Sequence, residues 1–262
     1  MKNDDFLETI TTSFMAYVEA GTSRSTAKLK ALHGKIAADV RTELGCEYVV
    51  KSQNEGYSEG DGKEGALKGH YYDKNVDIAI EKNGTSVAGY AVKFVVRNYS
   101  QNSNNYFENM LGETANIRAN SIPYFQIFII LNPIPYFKRG GSFGHYEKVS
   151  EHNFDKYFIM SKDCPRQFFH VPDKTLLIVV DSKEMLPESF DTEGDYFDYY
   201  KKRKEESFLF GYSNVFKDVF NKSDYSNTIY NDYHSFISKT CHLIKGLSLI
   251  HISEPTRRRG IS

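Results

Sequence analysis

The strongest constraint on the fold is a continuous apolar run near the middle of the chain, PYFQIFIILN at residues 123–132. A short run without polar alternation is typical of a strand that is covered on both faces. A further strand, KTLLIVVD, is predicted at residues 174–181. The chain is therefore expected to be an α/β protein with buried strands.

Periodicity gives the order of the elements around that run. Residues 4–20 and 26–45 carry apolar side chains at helical spacing, and the second helix is predicted to begin after Ser23 or Ser25 and to end at Gly45. Three strands are predicted from CEYVVKS, NVDIAIEK and VAGYAVKFVV, the last two joined by the hairpin signal Asn83-Gly84. A helix over residues 105–120 follows. The predicted order of elements over residues 25–132 is therefore helix, three strands, helix and strand.

The rest of the chain predicts one domain with a C-terminal extension. Residues 53–70 and 138–145 are rich in glycine and charge and predict loops, a helix is expected near 150–161, and residues 192–245 predict a helical region. A single domain over residues 1–246 is expected, with its core at about 25–182. Residues 247–257, LSLIHISEPTR, resemble a translated sequencing-library adaptor, and residues 247–262 are expected not to be native.

Bulk composition narrows the possible functions only a little. The net charge is −1, so nucleic acid would have to bind a local basic surface. The three cysteines form no metal-binding spacing, which favours a reduced, cytoplasmic protein. No signal peptide is visible, and no apolar run approaches the roughly 18 residues that a membrane span needs.

One acid and one base stand out on neighbouring predicted strands. Asp77 lies in NVDIAIEK and Lys93 in VAGYAVKFVV, and the hairpin brings the two strands side by side. Because burying an acid and a base together costs desolvation, such a pair favours a functional site. A structural ion pair at the end of a sheet is the alternative interpretation.

Together with the order of elements, this pair resembles the P-D…(D/E)-x-K nuclease superfamily, especially type II restriction endonucleases. The resemblance implies a three-layer α/β/α core and a Mg²⁺-dependent DNA endonuclease in which Asp77 binds the metal and Lys93 positions the attacking water. Two departures are visible: Val76 replaces the usual proline, and Ala91 replaces the acid that normally stands two residues before the lysine. An alanine methyl group cannot bind a metal.

Some members of the superfamily carry the second acid on the following helix, after a segment with arginine and Gln-Asn. Arg97, Gln101-Asn102 and Glu108 are similar to that pattern, and Glu113 is the competing acid. Glu108 lies nearer the start of the helix and is preferred, whereas Glu113 lies beside the apolar stripe. Under this resemblance Asp77 and one of the two glutamates would bind Mg²⁺, with the carbonyl of Val92 as a further candidate ligand.

Several polar residues are candidates for contact with double-stranded DNA. Asn, Gln and Arg can read base edges, which applies to Arg97, Gln101 and Asn102, whereas lysines contact phosphates. The candidate phosphate contacts are Lys63, Lys68, Lys138 and Arg139. Glu43 and Glu47 lie where an accessory acid could stand, but exposed surface is the preferred interpretation of both.

The resemblance also implies partners and leaves alternatives open. It implies a homodimer that acts on palindromic DNA and a cognate DNA methyltransferase encoded nearby. One alternative is another nuclease of the superfamily, from repair or a mobile element. The other is an inactive DNA- or protein-binding module of the same fold.

Overall fold

A computed structural model describes residues 2–22, 25–53, 65–205, 209–220 and 227–253, the last with side chains to residue 247. This part contains seven helices: α1 Asn3–Ala20, α2 Ala27–Leu44, α3 Tyr99–Arg118, α4 Glu151–Lys162, α5 Glu193–Lys201, α6 Lys217–Phe220 and α7 Tyr233–Ser253. It also contains eleven strands: β1 Tyr48–Ser52, β2 Gly65–Leu67, β3 Lys74–Val76, β4 Ile78–Lys82, β5 Thr85–Val95, β6 Tyr124–Asn132, β7 Ile134–Phe137, β8 Phe143–Glu147, β9 Lys174–Ser182, β10 Phe210–Tyr212 and β11 Thr228–Tyr230.

Seven of these strands form one mixed sheet. The order is β1-β4-β5-β6-β9-β10, and β11 also pairs with β9. β5, β6 and β9 run parallel, whereas β1, β4 and β10 pair antiparallel with their neighbours. The apolar run becomes β6 at the centre, where every residue except Asn132 is buried. The predicted α/β class and central strand are confirmed.

Helices cover the sheet on both faces, which is consistent with a three-layer α/β/α fold. On one face the Phe125 ring lies 4.9 Å from Tyr90, which in turn lies 6.1 Å from Phe236 of α7. Three residues further along β6, Phe128 points the opposite way and meets Tyr106 of α3 and Tyr157 of α4. Since alternate strand residues face opposite sides, the two rings of β6 anchor separate layers.

The hairpin between β4 and β5 forms as the sequence predicts. Asn83 and Gly84 both have positive φ, as a tight two-residue hairpin turn requires. The register pairs Lys82 with Thr85 and Ile78 with Tyr90. The position before α2 is occupied by Thr26, not by either predicted cap. Ser25 lies one residue earlier, and its hydroxyl accepts the Ala27 N–H at 3.2 Å, whereas Ser23 lies outside the described residues.

The prediction of one continuous strand over residues 75–82 is wrong. The chain bends at Asp77, so that β3 pairs with β2 in a small ribbon while β4 enters the main sheet. Val76 was expected to share a face with Ile78, but the bend places Val76 in the cluster of Ala79, Leu67, Ile117 and Tyr124.

Other differences lie in short strands and in the ends of two helices. Residues predicted as a glycine-rich loop form the turn of the β7–β8 hairpin, and residues 192–245 contain β10 and β11 besides helices. α3 begins at Tyr99, earlier than the predicted residue 105. α7 continues to Ser253, past residue 246.

Within the described residues, no helix combines the length and the apolar character that crossing a membrane requires.

Arg118 ties the end of α3 to the sheet. Its guanidinium donates to both carboxylate oxygens of Asp173, at 2.8 and 3.1 Å, and to three backbone carbonyls, those of Pro165, Phe168 and Val171. Asp173 also accepts the N–H of Tyr124, at the start of β6. One ion pair therefore fixes where α3 ends and where β6 and β9 begin.

We expect Arg118→Met to lower the free energy of unfolding by about 3–5 kcal/mol, because the change leaves a largely buried carboxylate without its counter-charge. Arg203→Met is the matched control. Its Glu184 partner is exposed, so a loss below about 1 kcal/mol is expected. Denaturant titration of both variants measures the difference. Equal losses would contradict the structural role given to Arg118.

Candidate functional site

The bend at Asp77 sets one carboxylate against the middle of the neighbouring strand. Oδ2 of Asp77 accepts the backbone N–H of Val92 at 2.6 Å. The N–H and C=O of one strand residue point to the same side, so the carbonyl of Val92 faces the side of Asp77 as well. Burial raises the pKa of Asp77, while the Val92 N–H, Lys93 and Lys74 act to lower it.

Lys93 projects from the face of β5 that α3 covers. Its Nζ lies 4.5 Å from the centre of the Tyr106 ring, a cation–π contact with α3. Partial burial of the ammonium lowers the pKa of Lys93, and the charges of Asp77 and Glu113 oppose that shift. Asp77 and Lys93 are therefore near enough for their charges to interact.

Glu113 supplies a second carboxylate from α3. Its side chain is 24% exposed, and Oε1 lies 3.4 Å from Nζ of Lys74. The buried Tyr124 hydroxyl lies next to it without a hydrogen bond of regular geometry. Burial raises the pKa of Glu113, Lys74 and Tyr124 lower it, and the charge of Asp77 raises it further.

Glu108 does not face this site, which corrects the expectation that it would. The residue is exposed, and its charge acts on Lys156 of α4. Five residues along a helix correspond to a rotation of about 140°, so Glu108 and Glu113 point in different directions. The inner face of α3 carries Met110, Thr114 and Ile117, and Glu113 lies beside them.

The donor set of the site fits a divalent metal of the Mg²⁺ kind. Asp77 and Glu113 offer carboxylate oxygens, and Val92 offers a carbonyl on the same side. Mg²⁺ typically takes one or two carboxylates and fills its other positions with water and phosphate oxygens. Because each carboxylate is partly buried and the two repel each other, a cation between them would relieve an unfavourable charge.

Two residues that the sequence analysis did not select also reach the site. Nε2 of His33, a buried residue of α2, lies 3.7 Å from Oδ1 of Asp77. Lys74 of β3 contacts Glu113. His33 lies one residue from Leu32 and three from Ile36, on the apolar face of α2. A polar side chain on an apolar helix face is unusual, and this was the sequence signal that could have identified His33 as a site residue.

The predicted DNA-contact residues are only partly brought together. Arg97, Gln101 and Asn102 line one cavity with Lys93. The guanidinium of Arg97 is bonded to Glu193 of α5, and Asn102 donates to the Asn98 carbonyl at 3.2 Å.

The predicted phosphate contacts are scattered. Lys68 is exposed and lines a different cavity, near the β4–β5 turn. Lys138 and Arg139 occupy the exposed β7–β8 turn. Lys63 lies outside the described residues.

Neither candidate for an accessory acid approaches Asp77. Glu47 pairs with Lys82 at 3.0 Å, at the end of β4 opposite to Asp77, and Glu43 is exposed at the end of α2. On the α2 side, His33 is the residue found beside Asp77.

Comparison with known proteins gives no family for this chain. No protein-family model matches it, and neither the curated proteins nor the solved structures contain a match. In the described part of the chain, no three or more His, Cys, Asp or Glu side chains are grouped to hold a metal ion. The site is therefore argued from its own geometry.

The raised pKa of Glu113 gives the fold a pH dependence. A carboxyl whose folded pKa exceeds its unfolded value binds protons more tightly in the folded state, so stability falls as the pH rises from the ordinary carboxyl range through the raised pKa. For one titrating group, the free energy of unfolding falls by at most about 1.4 kcal/mol for each pH unit. In EDTA, Glu113→Gln should therefore flatten the fall in unfolding free energy above pH ~4.5.

Glu108→Gln is the matched control for this measurement. Its carboxylate is exposed, so its profile of unfolding free energy against pH should follow that of the unchanged protein. Denaturant titrations at several pH values compare the three proteins. If both glutamine variants gave the same profile, Glu113 would not be the buried acid.

Proposed function

We propose that the protein is a Mg²⁺-dependent DNA endonuclease with a restriction-endonuclease-like core. The observation that carries the proposal is the convergence of Asp77, Lys93 and Glu113 beside the bend between β3 and β4, below α3. Two carboxylates can bind a divalent metal, and a nearby lysine can stabilise negative charge that develops on a phosphate.

The electrostatics of the three groups support this chemistry. The charges of Asp77 and Glu113 both act on Lys93, and the charge of Asp77 acts on Glu113. Like charges held together at a partly buried site are unfavourable unless a cation compensates them. Lys74 compensates Glu113 in part, at 3.4 Å, so the proposal depends on both acids acting on the same lysine, Lys93.

The roles of the residues follow from these positions. Mg²⁺ supplies Lewis-acid chemistry at the phosphate when it is bound. Asp77, Glu113 and the Val92 carbonyl would hold it. Lys93, whose pKa burial lowers, is placed to orient the attacking water and to stabilise negative charge that develops on the phosphate. His33 contacts Asp77 from the α2 side and would fix the orientation of that carboxylate.

The type II restriction character rests on the sequence resemblance. The segment from Lys93 through Arg97 and Gln101-Asn102 to a helix-borne glutamate is the part that resembles those enzymes. Glu113 takes the place of the second acid in the proposal, instead of Glu108. A homodimer that acts on palindromic DNA, and a methyltransferase encoded nearby, remain part of the same proposal.

Cleavage of plasmid DNA with and without Mg²⁺ tests the function. Discrete fragments that require the metal are expected. Lys93→Met, Asp77→Asn and Glu113→Gln should each lower the cleavage rate by about 10²-fold or more, because each removes charge that acts on the transition state. Glu108→Gln should cleave within about twofold of the unchanged protein, since its exposed carboxylate lies away from the site.

The pattern of products separates the alternatives. Metal-dependent nicking or random degradation favours a repair or mobile-element nuclease. DNA binding without cleavage in any divalent metal favours an inactive binding module. If Lys93→Met kept full activity, the assigned site would be wrong, whatever the products.

A further inference from the structure

A cavity of about 340 Å³ adjoins Lys93, and its described lining includes neither Asp77 nor Glu113. It lies between the start of α2, the end of β5 and the first turns of α3. The polar part of its lining comes from Lys28, Lys93, Arg97, Gln101 and Asn102. Among the described lining residues, three side chains are cationic and none carries a carboxylate, so this part of the cavity has the character of an anion site.

Lys28 is the member of this lining that the sequence gives no reason to select. It is the second residue of α2, is half-buried, and has its Nζ 5.8 Å from the centre of the Tyr17 ring. Burial lowers the pKa of Lys28 to about 8, and the charges of Lys93 and Arg97 lower it in the same direction. The fold thus holds one ammonium close to two other cations, where positive charge is unfavourable.

Among the described residues, carboxylates act on two of these cations, Arg97 and Lys93. Glu193 is bonded to Arg97 and accepts the Tyr17 hydroxyl at 3.3 Å, which fixes the guanidinium at the wall of the cavity. Asp77 and Glu113 act on Lys93. The space between Lys28, Lys93 and Arg97 remains lined by cations and by the amides of Gln101 and Asn102.

We propose that this cavity binds a backbone phosphate of the DNA strand, next to the phosphate that is cleaved, and that Lys28 is a phosphate-contacting residue. The proposal rests on the proposed function, because Lys93 borders both the cavity and the reaction site. A phosphodiester carries the single negative charge that would offset the repulsion among the three cations. The cavity corresponds to about ten water volumes, which leaves room for the phosphate and part of its sugar.

A contact of this kind positions the strand without reading its sequence. Lysine contacts to phosphates contribute a salt-dependent, sequence-independent share of the binding free energy. With one phosphate held at Lys28, the next along the strand would be directed to Lys93 and the carboxylates. Lys28 would then act as a positioning residue, and its loss should weaken the binding of any duplex to a similar degree.

Binding of a labelled mixed-sequence DNA duplex tests the proposal at several KCl concentrations, in EDTA and with Ca²⁺ in place of Mg²⁺. Lys28→Gln should weaken binding about five- to tenfold and reduce the slope of log K against log salt by about one. Lys28→Arg should keep both values near those of the unchanged protein. Lys217→Gln removes one exposed lysine outside the cavity lining and should also leave both unchanged.

Thermal unfolding of the same variants separates a binding role from a structural one. Because Lys28 is held near like charges, Lys28→Gln should unfold at the same temperature as the unchanged protein or higher. A structural lysine would lower that temperature and leave the salt slope unchanged, which would overturn the proposal. Wild-type affinity and slope in Lys28→Gln would overturn it too.

The outcome is independent of whether the protein cleaves DNA. If no metal supports cleavage but duplex binding depends on Lys28, the phosphate site stands and the nuclease proposal fails. If the protein cleaves DNA and Lys28→Gln binds normally, the phosphate site fails alone. Absence of duplex binding by the unchanged protein, in both EDTA and Ca²⁺, would overturn the phosphate site as well as the DNA substrate.

Discussion

The hydrogen bond from the Val92 N–H to Asp77 is the interaction on which the site depends. It is made where the β2–β3 ribbon ends and β4 begins, so the carboxylate accepts a backbone N–H that β4 does not pair. That bond holds Asp77 beside β5, within reach of His33 from α2 and of the Lys93 charge. Val92, His33 and Lys93 are thus arranged around one partly buried acid, Asp77.

Much of the fold could be predicted because long periodic segments dominate it. The run that forms β6, the hairpin at Asn83-Gly84 and the helical stripe of α1 each depend on signals within a few residues of sequence. The short strands β2, β7, β10 and β11 could not be predicted. Their pairing is decided by distant segments, such as the parallel contact of β11 with β9, and three or four residues carry too little pattern to show it.

Only the part of the candidate site that neighbouring segments of the chain form could be predicted from the sequence. Hairpin pairing places Asp77 near Lys93, and that pairing is a local property. The choice between Glu108 and Glu113 depends on how α3 rotates over the sheet, which contacts such as that of Thr114 with Gln126 determine. Lys28 and His33 approach the site through the packing of α2, so no motif in the sequence connects them to it.

The surroundings of Ala91 limit which side chains position 91 can accept. The residue is half-buried against the small cluster that contains Leu67, Ala79 and Tyr124. A carboxylate at position 91 would enter apolar surroundings while Glu113 already contributes negative charge nearby, so both desolvation and repulsion would oppose it. An acid at position 91 would therefore require a second substitution to make room or remove charge. The packing around Ala91 thus favours a small apolar side chain at this position.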